Sequence, residues 1–301
     1  MCRLYAYIGI QPAHLKCSLI DANNAIVRQS AHNADGWGIA YNDSEGQLQV
    51  SKEPIQASCS KEFTQLVESI MATTIISHIR LASVGNVTAE NTHPYRFGNW
   101  AFAHNGTVEV FSKVQEAILA LIPAHIRKNI KGSTDSEHVF HLLLSEMERQ
   151  GMDLKDPYPD ERDVVKALRK TLSLVNGLSH KAGASYNSRL NILLTNGKVL
   201  WGTRFGHPLN YLMDSELTCT CCGPRDAGFS VTIATELLTD EDHWHSFPEN
   251  TVFYAHISPR HISMEELLID VDPTFSPVTE GDLADRRKDR PKVCTTPAPQ
   301  E

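Results

Sequence analysis

The spacing of apolar and polar positions divides the chain into short β-rich runs and a few longer stretches with helical periodicity. Residues 4–10 (LYAYIGI) are a short apolar run rich in aromatic and β-branched side chains, which predicts a buried strand. Residues 36–41 and 47–50 read as further strands. In residues 60–72, Phe63, Leu66, Val67 and Ile70 fall on one helical face. TTIISHIR (73–80) predicts a strand ending at Arg80, and NWAFAHNG (99–106) another, stopped by Asn105-Gly106. Residues 112–130 predict a helix interrupted at Pro123, and residues 161–178 an amphipathic helix. Between them, 134–150 carries the clearest helix signal, because Thr134 and Glu137 have capping-box spacing ahead of an apolar run. Residues 189–204 are the strongest hairpin signal, two β-rich runs joined by Asn196-Gly197, and strands follow at 230–235 and 251–257. Strands and helices come in blocks rather than strict alternation, which favours an α+β fold over a doubly wound sheet. No linker interrupts residues 2–270, so one domain is expected there. Residues 279–301 are charged, Pro-rich and poor in large apolar side chains, and predict a disordered tail.

Composition narrows the function classes. With 301 residues, 41% hydrophobic and 21% charged, the chain is long enough to bury a sizeable core. A formal net charge of −8 argues against a nucleic-acid footprint, which needs a basic face. No stretch approaches the ~18 apolar residues of a membrane span, and the N-terminus MCRLYAYIGIQ lacks the apolar core and cleavage site of a secretory signal. A cytoplasmic protein with neither a nucleic-acid nor a membrane partner is expected. The seven cysteines are odd in number in a chain that is not short, so reduced thiols are expected rather than a disulfide framework.

Cys2 changes this picture. A small second residue permits removal of the initiator Met, which would leave a thiol and a free α-amine on one residue. An α-amine has a pKa of about 7.7–8.0, suited to a general base near neutral pH, and a thiol is a strong nucleophile. Position alone is weak, since Cys2 also serves simply as a small residue after Met1. Other motifs carry the case: MCRL at 1–4, DGWG at 35–38, SHIRLAS at 77–83, NTHPY at 91–95, AHNG at 103–106 and TDSE at 134–137. Taken together and in this order they resemble the class II glutamine amidotransferases, the N-terminal-nucleophile group with a catalytic Cys. IATELLTDEDHW (233–244) resembles a late segment of the small stand-alone bacterial subgroup.

The resemblance implies a four-layer αββα sandwich and a glutaminase-type hydrolysis of a γ-glutamyl amide through a Cys2 thioester. It implies Cys2 as nucleophile, Asn105 (side-chain amide) and Gly106 (backbone N–H) as oxyanion hole, Arg80 as grip on the substrate α-carboxylate, and Asp135 as partner of its α-ammonium. The residue types suit these tasks. Arg offers a planar fork to a carboxylate, and Asp135 falls in the first turn of a predicted helix, where the dipole favours negative charge. The chain also departs from the family. The larger synthases often have Trp-Ala-Thr-His after the arginine, where Leu81-Ala82-Ser83-Val84 stands here. Ser83 keeps a hydroxyl for the carboxylate. His32-Asn33-Ala34-Asp35 replaces the arginine-glycine run near the second motif.

Each residue has a plainer reading alone: Arg80 as a strand-end arginine, Asn105-Gly106 as a turn, Asp135 as a helix-start acid. Gly36 and Gly38 are read as allowing close packing around Trp37, since no Walker or dinucleotide motif occurs. Cys219, Cys221 and Cys222 with His243 and His245 lack zinc-site spacing, and His138 with His141 lacks a third ligand, so no metal and no cofactor is expected. His104 is read as packing or tuning the site. With few residues after 257, no fused synthase is expected. A small-molecule substrate, glutamine or another γ-glutamyl compound, is expected, with a separate ammonia-accepting subunit or a homo-oligomer left open.

Overall fold

A computed structural model describes residues 1–213, 229–239, 243–256 and 261–266. The expected tail at 279–301 and the cysteines at 219–222 lie outside the described residues. In chain order the elements are β1 (Arg3–His14), α1 (Ile26–Gln29), β2 (Trp37–Asn42), β3 (Leu48–Glu53), α2 (Lys61–Ser69), β4 (Met71–Ile79), β5 (Tyr95–Phe97) and β6 (Trp100–Thr107). There follow α3 (Phe111–Ala120), α4 (Ala124–Arg127), α5 (Asp135–Arg149), α6 (Glu161–Lys181), β7 (Arg189–Thr195) and β8 (Val199–Arg204). The last are β9 (Asn210–Met213), β10 (Ser230–Ala234), β11 (His245–Ser246), β12 (Thr251–His256) and β13 (His261–Glu266).

The strands form two antiparallel sheets, ordered β11-β9-β10-β1-β4-β2-β3 and β13-β12-β8-β7-β6-β5. Three apolar clusters define the layers. Leu4, Ala6, Ile8 and Ile76 of the first sheet meet Ala103, Leu193, Leu200 and Phe253 of the second. The other face of the first sheet packs Tyr5, Tyr7, Trp37 and Ile75 against Phe63 and Val67 of α2. The other face of the second packs Phe102, Ile192 and Trp201 against Phe140, Leu144, Leu168 and Val175 of α5 and α6. The expected αββα sandwich follows from the period-2 alternation of strands covered on both faces.

Two local features hold the layers in register. Thr134 caps α5 by accepting the Glu137 N–H at 3.2 Å, a contact worth about 1 kcal/mol. Only half of the capping box forms, because the Glu137 carboxylate reaches instead to the N–H groups of Lys131 and Gly132 at 3.0 and 2.7 Å. At Gly38 an added Cβ would lie 2.1 Å from the His93 carbonyl oxygen, so close strand approach explains that glycine. Cys2 and Cys59 carry free thiols. Cys17 is disulfide-bonded, which corrects the expectation of reduced thiols throughout.

Candidate active site

Strand parity assembles the site. Leu4, Ile76 and Ala103 face the space between the sheets. Cys2 precedes Leu4 by two residues, Arg80 follows Ile76 by four, and Asn105 follows Ala103 by two, so all three belong to that same face. Arg3 pairs with Ile79 across β1 and β4, and the next step of that register sets Cys2 beside Arg80. The Leu81 N–H donates to Cys2 Sγ at 3.3 Å. Burial pushes the Cys2 thiol up; the Leu81 hydrogen bond, the chain's terminal amine and the Arg80 guanidinium oppose that, and the Asp135 carboxylate adds to it. A thiol held up in this way needs a base before it attacks. Sulfur, guanidinium and carboxylate therefore share one electrostatic environment.

Arg80 is buried and already engaged. Its guanidinium donates to the carbonyls of Asn86 (2.9 Å), Val84 (3.0 Å) and Gly85 (3.2 Å), which pins the loop after β4. Asp35 accepts the Ala82 N–H at 2.8 Å and ties the same loop to the DGWG segment. Asp135 is also buried. Its Oδ2 accepts the Val108 N–H at 2.8 Å and its Oδ1 the Ser136 N–H at 2.9 Å. The Ser136 Oγ also lies 3.4 Å from Oδ1, and of the carboxylate's roughly four lone-pair directions at least one, on Oδ2, remains for a ligand.

The Asn105 side chain makes no hydrogen bond to the described residues, so its amide is uncommitted. Gly106 pairs with Leu190 on β7, and a Cβ there would lie 1.8 Å from the Arg189 carbonyl oxygen. Position 106 is therefore glycine for want of room. His104 points the other way. Its ring nitrogens lie 2.9 Å from Ser136 Oγ and 2.9 Å from that same Arg189 carbonyl. A carbonyl only accepts, so Nε2 carries the proton and Nδ1 accepts from Ser136. His104 thus bolts β6 to α5 and β7, beneath Asn105-Gly106 and beside Asp135. Ser83 is exposed, with its Oγ 3.4 Å from Thr107 Oγ1. Thr107 Oγ1 in turn donates to the Gly106 carbonyl at 2.8 Å.

Several contributors were not legible as single residues: the Leu81 N–H, the Ser136–His104–Arg189 bridge and the loop-holding bonds of Arg80. Arg3 and Asn33 are others. The Met1 carbonyl accepts from Arg3 Nη1 at 3.1 Å and from the Asn33 amide, so two donors converge on the peptide that precedes Cys2. Among the described residues no group of three His, Cys, Asp or Glu side chains is arranged to hold a metal, and no helix is long and apolar enough to cross a membrane. His138 and His141 each place Nδ1 against the carbonyl four residues earlier, at 2.7 and 2.8 Å.

The architecture recurs in solved structures. A glutamine aminotransferase class-II domain protein from Silicibacter pomeroyi superposes with a TM-score of 0.63 at 20% identity, covering 88% of this chain and 99% of that one. The glutamine phosphoribosylpyrophosphate amidotransferase of B. subtilis gives 0.60 at 14% identity, covering 90% of this chain and 50% of that one. These likenesses show a shared fold, two antiparallel sheets between helical layers. The family model for class-II glutamine amidotransferases matches residues 1–259, and the chain belongs to that family of amide-cleaving and amide-transferring enzymes. Among curated relatives, the probable glutamine amidotransferase DUG3 of Saccharomyces cerevisiae is 26% identical over 68% of this chain, which spans 64% of that protein's length. The gamma-glutamyl-hercynylcysteine sulfoxide hydrolase of Mycolicibacterium smegmatis is 26% identical over 83% of this chain and 93% of its own.

Proposed function

We propose that the protein hydrolyses a γ-glutamyl amide bond through a thioester on Cys2, once Met1 has been removed. The observation that carries this is the strand register that sets Cys2 beside Arg80, with the Leu81 N–H on the Cys2 sulfur at 3.3 Å. The freed α-amine takes the thiol proton, which answers the raised thiol. Sulfur attacks the γ-carbonyl carbon, and the oxyanion is met by the Asn105 amide and the Gly106 N–H, a donor of this kind being worth about 3–4 kcal/mol. The proton passes to the leaving nitrogen, which departs as ammonia or an amine. Water then cleaves the thioester and releases the acid. Arg80 and Asp135 hold the α-carboxylate and α-ammonium, and Ser83 lines the rim.

A substrate larger than glutamine, a γ-glutamyl conjugate of a thiol compound, is favoured by one observation. The hydrolase from M. smegmatis, whose name states a γ-glutamyl conjugate of a cysteine-derived sulfoxide, aligns along 93% of its length. The test is a turnover screen over glutamine, glutathione and other γ-glutamyl compounds with protein of verified N-terminus, and Cys2→Ala as control. Turnover that vanishes in Cys2→Ala, with site-specific labelling of Cys2 by a glutamine-like electrophile, is expected. Ligand binding without turnover in fully processed protein would instead mark a silent γ-glutamyl-binding protein.

A further inference from the structure

A cavity of about 400 Å³, distinct from the proposed clamp of Arg80 and Asp135, is lined in part by Lys52, Glu90, Arg96, Lys131, Glu137 and His141. Its charges are unevenly committed. Each Glu137 oxygen accepts one backbone N–H, from Lys131 and from Gly132. Arg96 is exposed and spends only Nε, on the Gly98 carbonyl at 3.0 Å. Lys131 is exposed and its ammonium has no partner among the described residues. Lys52 is largely buried. Its ammonium donates to the Thr92 and Pro94 carbonyls at 2.6 and 3.3 Å and lies 5.2 Å over the Tyr95 ring. Desolvation pulls it down to about 8 against the attraction of Glu137 and Glu90, so it remains largely charged at neutral pH. Three cationic side chains, Lys52, Arg96 and Lys131, thus outnumber the two carboxylates of the lining, Glu90 and Glu137.

His141 supplies the second observation. The residue is 2% exposed, and its Nδ1 lies 2.8 Å from the Glu137 carbonyl. Burial holds the ring toward its neutral form. Nδ1 therefore carries the proton and Nε2 is a bare acceptor, and that Nε2 is buried with no partner among the described residues. We propose that this cavity is a second ligand site, which takes a small anion that also carries a hydrogen-bond donor. The anion meets Arg96, Lys131 and Lys52, and the donor satisfies His141 Nε2.

The cavity is connected to the clamp by two packed routes. Tyr95 packs edge-on against His93 (centroids 4.7 Å), and His93 lies tilted against His78 (4.1 Å), which precedes Arg80 on the same strand face. The Tyr95 hydroxyl lies 2.5 Å from Thr134 Oγ1, next to Asp135.

The full-length protein is titrated calorimetrically with inorganic phosphate at pH 7, and with sulfate, which has the same shape and no donor, at matched ionic strength. Lactate against acetate forms the carboxylate pair and separates an organic hydroxy acid from free phosphate. The donor-bearing member of one pair is expected to bind at least about tenfold more tightly, and Arg96→Glu/Lys131→Glu to remove that binding. The His141 ring resonances of the wild type should shift on saturation. Equal affinity for both members of each pair, binding that survives the double charge reversal, or no binding tighter than about 10 mM overturns the proposal. Binding is read without turnover, so failure here leaves the Cys2 chemistry untouched, and failure of that chemistry leaves this site testable.

Discussion

The first turn of α5 carries two acids two residues apart, Asp135 and Glu137, and they have been put to different uses. Both are buried, and each accepts two backbone N–H groups. Asp135 looks toward the sheet interface, where its charge raises the Cys2 thiol. Glu137 looks toward the cavity it lines with Lys52, where its charge supports the protonated form of that lysine. One helix terminus thus serves two chemically opposed neighbours, a thiol it makes harder to ionise and an amine it makes easier to keep charged. The difference lies in what the strands beneath each acid present, and a helix end by itself assigns no role.

The comparison can be broken at Lys52 first. Its folded-state value of about 8 lies below the ordinary 10.5, so the unfolded chain binds the extra proton between those values. Stability from this residue rises with pH across that window, by at most about 3 kcal/mol. Urea melts at pH 7.5 and 10.5 should show this gain in the wild type relative to Lys52→Met, which lacks it. Next, Asp135→Asn should lower kcat/KM for a γ-glutamyl substrate about 10- to 100-fold, the worth of a charged hydrogen bond of about 1.5–3 kcal/mol. Because Asp135 raises the thiol, the same variant should move the alkylation profile of Cys2, followed by mass spectrometry, to lower pH. An unmoved profile would part Asp135 from the sulfur. Glu137→Gln should leave that profile in place while lowering Lys52 further, with a stability loss of about 1–2 kcal/mol in denaturant melts. Ser83→Ala, at an exposed hydroxyl with one long contact, should change KM by less than about threefold, matching a weak polar contact.

Most of the layered fold was legible in the sequence. The strands that became β1, β2, β3, β4, β6, β7, β8, β10 and β12 and the four longest helices all fall where periodicity set them, within a few residues. What was missed is short or at an edge: β5 has three residues, β9 four, β11 two, α1 is a single turn, and β13, with six, is the edge strand of the second sheet. Such segments carry too few positions for a period, and pairing with a neighbour creates them. β1 also outran its expected end, continuing through Gln11-Pro12 with a register shift between Ile8 and Ala13. At the site, residue types and order pointed to Cys2, Arg80, Asn105, Gly106 and Asp135. The bonds of Arg80 to its own loop were not readable, because backbone carbonyls leave no mark in a sequence. Lys52 was equally silent, since a lone lysine in a polar strand reads as solvated until Tyr95 and two carbonyls close over it.

The grip of Arg3 and Asn33 on the Met1 carbonyl has a practical side for anyone making this protein. On the proposed mechanism, any N-terminal fusion or leftover tag residue supplies a peptide carbonyl for that same grip and keeps the Cys2 nitrogen an amide. Such a preparation would fold, bind substrate and be mistaken for an inactive enzyme. A tag at the other end, with the first residue verified by intact mass, is the preparation on which a negative assay has meaning.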